Sequence, residues 1–104
     1  MNESQLNQMM EKKLSEMEDI QRCAFEKCIV TPCMEVRYYS TSKWEQIWIV
    51  AKMPDKNVSF AYSENGYDGF SLHWGLLFLD RPMMGDSGAW YRTLGELVND
   101  CGYF

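Results

Sequence analysis

The residues of this chain best suited to chemistry are four cysteines, a single histidine and scattered carboxylates. Cys23, Cys28 and Cys33 follow a Cys-x4-Cys-x4-Cys spacing, and Cys101 stands far away. Structural zinc sites bring their ligands as close Cys-x2-Cys-like pairs, which this spacing does not supply. Residues 23 and 28 also fall on different faces of a helix. Reduced, half-buried thiols without metal are therefore expected, and no cofactor is implied.

A Ser-His or Cys-His nucleophile would have to use His73. It sits between Leu72 and Trp74 with no acid beside it in sequence, so a structural role is expected. Glu64 and Asp68 flank one loop, and Asp80 and Asp86 flank another. Neither pair has a spacing that singles out an acid and a base. Phosphate-binding, dinucleotide and zinc-protease motifs are absent, and Gly66-x-x-Gly69 opens no helix. No catalytic residue is assigned, and the chain is read as a non-enzyme.

The elements that must hold these residues are legible from period and punctuation. Residues 69–82 place Phe70, Leu72, Trp74, Leu76 and Phe78 at every second position, as in a strand with one apolar wall. Residues 2–29 carry Leu6, Met9, Met10, Leu14, Met17, Ile20, Ala24, Phe25 and Cys28 at helical spacing. Asn2 and Gln5 have capping-box spacing, and Glu18 with Arg22 reads as an i,i+4 pair. Thr31-Pro32 ends that helix. The methionine-rich stripe is assigned to packing on the sheet, with a dimer seam as the alternative.

Strands are expected at 33–40, 44–53 and 58–63. Met34, Val36 and Tyr38 share one face of the first, and Glu35, Arg37 and Tyr39 the other. Short polar turns separate them, which argues for antiparallel neighbours. Gly66 and Gly69 can take positive φ in the loop before the 69–82 strand. A second helix is expected at 89–101, capped by Asp86 or Ser87 and ended by Gly102. The fold class is α+β: one domain over residues 1–104, α-β-β-β-β-α, an antiparallel meander with helices on one face.

Composition narrows the function. Hydrophobic residues make up 46% of the chain, with four Trp, six Tyr and five Phe, enough to fold one core. No apolar run reaches membrane length and no signal peptide is visible, so a cytoplasmic location is expected. The net charge is −5. Residues 61–104 hold Glu64, Asp68, Asp80, Asp86, Glu96 and Asp100 against only Arg81 and Arg92. Such a field repels nucleic acid and anionic lipid and attracts a basic surface. The order of elements is similar to that of double-stranded-RNA-binding domains. Those domains use lysines before the second helix, where this chain has Asp86, Ser87, Gly88 and only Arg92, so RNA binding is excluded on charge.

Arg81, Met83 and Met84 lie in a Pro/Gly loop, and Arg, Met and Tyr are interface-prone; the alternative is a lid that tucks Met83 or Met84 into the core. The expected partner-binding set is therefore Glu64, Tyr67, Asp68, Asp80, Arg81, Met83, Met84 and Asp86. In kind, the chain resembles the small acidic inhibitors of bacteria and phages, such as toxin-immunity and anti-defence proteins. The resemblance implies occlusion of a basic, nucleic-acid-handling protein surface, in the manner of a nucleic-acid mimic. The alternatives are a small enzyme or ligand-binding domain with a pocket near His73, and a homodimeric regulatory subunit.

Overall fold

A computed structural model describes residues 1–103. The chain runs α1 (Glu3–Ser15), α2 (Asp19–Glu26), β1 (Ile29–Ser40), β2 (Lys43–Met53), β3 (Val58–Tyr62), β4 (Trp74–Phe78), β5 (Trp90–Tyr91) and α3 (Leu94–Asp100). The strands form one antiparallel meander in the order β1-β2-β3-β4-β5. The α+β architecture expected from the sequence is the one observed.

The helices cover one face of the sheet. Leu6, Met10, Met17, Phe25, Leu94, Leu97 and Val98 pack there on Trp48, Val50, Phe60 and Trp74. The methionine stripe is thus core. The Asn2–Gln5 capping box forms as its spacing demands, with Gln5 N–H donating to Asn2 Oδ1 at 2.8 Å. The single helix over 2–29, however, is two helices. Ser15 Oγ donates to the Lys12 carbonyl at 2.7 Å, the kind of local bond that competes with helix continuation. The break turns Met17 into the core and leaves Ile20 86% exposed. Arg22 consequently pairs with Asp19 at 2.6 Å and Glu26 at 3.9 Å, rather than with Glu18.

Strand β1 starts at Ile29 and runs through Pro32 with a register irregularity. An edge strand tolerates proline because its outward N–H has no ladder partner to lose. The 69–82 strand shrinks to Trp74–Phe78, because a 3-10 turn at Tyr67–Gly69 claims the residues before it. Tyr67 N–H donates to the Leu72 carbonyl at 2.8 Å and closes that turn. The expected apolar wall keeps Trp74 and Leu76, while Phe70 and Phe78 are exposed.

The expected helix at 89–101 begins only at Leu94, and Thr93 caps it by accepting from Glu96 N–H at 3.1 Å. Asp86 instead caps a 3-10 turn, accepting from Gly88 N–H at 2.9 Å. Trp90 is held in a fifth strand by long-range contacts. Its indole N–H donates to the Met84 carbonyl at 2.8 Å, and its ring lies over Gly75. A Cβ at Gly75 would come within 2.5 Å of that ring, so the close approach requires glycine there.

Among the described residues, no α-helix packs on the second face of the sheet. Ile47, Ile49, Ala61, Leu77 and Trp90 form its core, and the loop after β4 covers them with Met84. Arg37 anchors this cover. It is 2% exposed and donates from Nη1 to the Phe78 carbonyl at 2.9 Å and to the Arg81 carbonyl. Two further bonds tie the loop to the outer edge of β1. Tyr38 N–H donates to the Pro82 carbonyl at 2.8 Å, and Met84 N–H to the Tyr38 carbonyl at 2.9 Å. The loop therefore spans from β4 back to β1 and curls the sheet around the second core.

Candidate functional site

The two acidic loops meet at Tyr67. Gly66 at φ 81°, Asp68 at φ 50° and Gly69 at φ 82° fold the first loop tightly. A Cβ on Gly66 would collide with the Phe70 carbonyl, so the turn needs glycine at that point. The turn presents Tyr67 to the second loop. Its ring packs edge-on against Tyr39 at 5.1 Å and tilted against Trp90 at 5.7 Å. Its hydroxyl donates to the Gly85 carbonyl at 3.0 Å. Burial raises the pKa of the Tyr67 phenol, and the carboxylates of Asp86 and Asp68 raise it further. Acids from both loops thus act on one hydroxyl.

The other acids divide by partner. Asp68 pairs with Lys43, whose ammonium lies 5.1 Å from the centre of the Tyr39 ring. Asp68 N–H donates to the Tyr39 hydroxyl at 2.7 Å, and that hydroxyl donates to Glu45 at 2.8 Å. Ser63 Oγ donates to the same carboxylate. Burial, first of all, raises the Tyr39 pKa far above the ordinary phenol range. This network braces the base of the loops. Glu64 points away from it and pairs with the amino group of Met1 at 3.1 Å. Among the described residues, Asp80 and Asp86 form no ion pair.

A cleft of about 270 Å³ opens beside Asp86. Leu76, Phe78, Arg81, Met83, Asp86 and Ala89 line it. It follows from the shortness of β5, which pairs only with Trp74 and Gly75 and leaves the rest of the β4 edge uncovered. The Arg81 guanidinium stacks over Phe78 at 5.1 Å. Phe78 and Met83 are both about half exposed. The cleft therefore combines the carboxylate of Asp86, a cation held on an aromatic face and exposed apolar side chains.

Of the residues expected at a partner surface, Arg81, Met83 and Asp86 line this cleft, and Asp80 precedes Arg81 in the chain. Tyr67 braces it, Asp68 is neutralised by Lys43, and Glu64 lies apart. Met84 is a correction: it is 0% exposed and belongs to the second core. Its neighbour Met83 bridges outward beside Tyr38, so adjacent methionines take opposite sides of the loop. The alternation places Phe78 on the apolar wall and Arg37 on one strand face with Glu35 and Tyr39. Neither carried a local signal for its place here, because the path of the loop decides both.

His73 lies elsewhere. Its Nδ1–H donates to the Ser63 carbonyl at 2.8 Å, and its ring stacks on Tyr62 at 6.0 Å. This fixes the tautomer with the proton on Nδ1. Cys23 and Cys33 are exposed, and Cys28 and Cys101 pack beside the helix-side core. Among the described residues, no three His, Cys, Asp or Glu side chains converge as a set that could hold a metal ion. Nor is any helix among them long and apolar enough to cross a membrane. Comparison with protein-family models, with curated proteins and with solved structures gives no significant match to this chain.

Proposed function

We propose that this protein is a non-enzymatic binding module that docks a basic protein surface on the cleft between β4 and the 80–89 loop. The observation that carries this reading is an acid outside any ion pair, Asp86, beside exposed apolar anchors in one cleft. Asp86 lines the cleft and Asp80 precedes Arg81 in the chain, neither in an ion pair among the described residues, while Phe78 and Met83 supply apolar area in the cleft. Interfaces use such charges to steer association and such side chains to slow dissociation. A solvated acidic face would not need half-exposed Phe and Met among its acids.

The net charge of −5 disfavours nucleic acid and anionic lipid and favours a cationic protein groove. An inhibitor that covers a nucleic-acid-handling surface is the role that fits a small domain with these properties. The test is affinity capture from a native cell lysate. The wild-type chain should retain a protein with a cationic surface. A variant carrying Asp80→Asn, Asp86→Asn and Phe78→Ser should lose it while keeping its circular dichroism spectrum. Retention of the same protein by the folded variant would exclude the cleft.

A further inference from the structure

The helix-side face of the β1–β2 hairpin carries apolar side chains that are left uncovered toward its turn. Met34, Val36 and Tyr38 alternate along β1 and point to one side. Tyr38 pairs across the strands with Trp44, and on its other flank it is bridged to Met83. Trp44, Tyr38 and Met83 thus form a row, with Val36 and Met34 continuing along the strand. Trp44 is 58% exposed and Met34 50%, although Trp48, opposite Met34 on the same face, is buried under the helices. The exposed set amounts to on the order of 500 Å² of apolar area, the upper end of what a monomer leaves bare.

The face is also locally neutral. Its paired positions are Met34 with Trp48, Val36 with Gln46 and Tyr38 with Trp44, and none of these carries a charge. A patch without free charge, on a chain of net charge −5, is poorly matched to the basic partner proposed for the cleft. It is matched to a copy of itself. Across Tyr38 from Trp44 lies a hollow of about 290 Å³, lined by Tyr38, Ser40, Thr41 and Met83. Knob and hollow sit next to each other, as an isologous two-fold interface requires. The apolar centre together with a polar rim approaches the roughly 800 Å² per partner of a standard interface.

We infer that this hairpin face is a homodimer interface, in which Trp44 of each copy enters the Tyr38–Ser40–Thr41–Met83 hollow of the other. The inference does not depend on the partner cleft, and salt separates the two. Two acidic copies joined through a neutral apolar face repel at low ionic strength, so added salt tightens the dimer. Binding of a basic partner weakens under the same change.

Sedimentation equilibrium of the full chain tests it. The wild type should sediment as a monomer–dimer system with a dissociation constant on the order of 1–10 μM, tighter at higher salt. Trp44→Glu should raise that constant at least about a hundredfold, because it places a charge at a central aromatic anchor. Val36→Lys provides a second, independent variant, and circular dichroism checks the folding of each. A wild type that stays monomeric at about ten times the upper expected constant overturns the inference. So do folded Trp44→Glu and Val36→Lys variants that dimerise like wild type, and so does open-ended growth beyond dimers.

Discussion

The hydroxyl of Tyr67 donates to the carbonyl of Gly85 at 3.0 Å and ties the loop before β4 to the loop after it. The bond crosses 18 residues of sequence and sets where the cleft acids stand. Tyr67→Phe keeps the ring contacts with Tyr39 and Trp90 and deletes only this bond. The expected cost is about 0.5–1.5 kcal/mol, seen as a drop of several degrees in Tm. Amide exchange of Gly85 and its neighbours should accelerate more than exchange in β2 or β3. Uniform acceleration across the sheet would mean that the loop is held by other contacts.

The adjacent methionines give a sharper contrast. Met84→Ala empties a site in the second core and should cost about 2–5 kcal/mol. Met83→Ala removes a half-exposed side chain and should change stability by less than about 0.5 kcal/mol. Urea denaturation of the two variants checks this. Equal effects would place both side chains in the same environment and contradict the loop path described here.

That contrast also marks what the sequence could and could not reveal. Local chemistry was legible: the Asn2–Gln5 cap, the short turns between strands, the positive-φ glycines 66, 69 and 102, and the alternation in β2 and β3. The acids and Met83 of the cleft were legible too, from composition and loop position. What stayed hidden depends on contacts far apart in sequence. Met83 and Met84 are identical in type, and only the anchoring of the loop to Tyr38 and Arg37 separates them. Trp90 follows helical spacing with Leu94, yet the bare backbone of Gly75 draws it into the sheet. Nothing local marks Arg37 as an anchor until the loop brings the carbonyls of Phe78 and Arg81 over it.

Stability should fall on the alkaline side. Tyr39, Tyr62, Tyr67 and Tyr91, with Cys28 and Cys101, all have raised pKa values, chiefly through burial. Each is neutral when protonated, so the folded state holds its proton to higher pH than the unfolded chain does. The resulting stabilisation is fully present below the ordinary thiol and phenol values and is lost as pH rises through the folded-state values. Urea midpoints should be flat across neutral pH with respect to these groups and decline from about pH 9 upward. Tyr39→Phe should lower the midpoint at neutral pH, through loss of its bonds to Glu45 and Asp68, and should also make the alkaline decline shallower. A decline of unchanged slope in that variant would show that Tyr39 contributes nothing to it.

The measurement closest to the central claim is the association rate of the captured partner as a function of salt. It should be measured for the wild-type chain and for Asp80→Asn with Asp86→Asn. If these free acids steer a basic surface to the cleft, the wild-type rate falls steeply as salt rises. The double variant then associates about tenfold more slowly at low salt, with a flattened salt dependence and a nearly unchanged dissociation rate. An association rate that is indifferent to the two substitutions, or that increases with salt, would contradict the account.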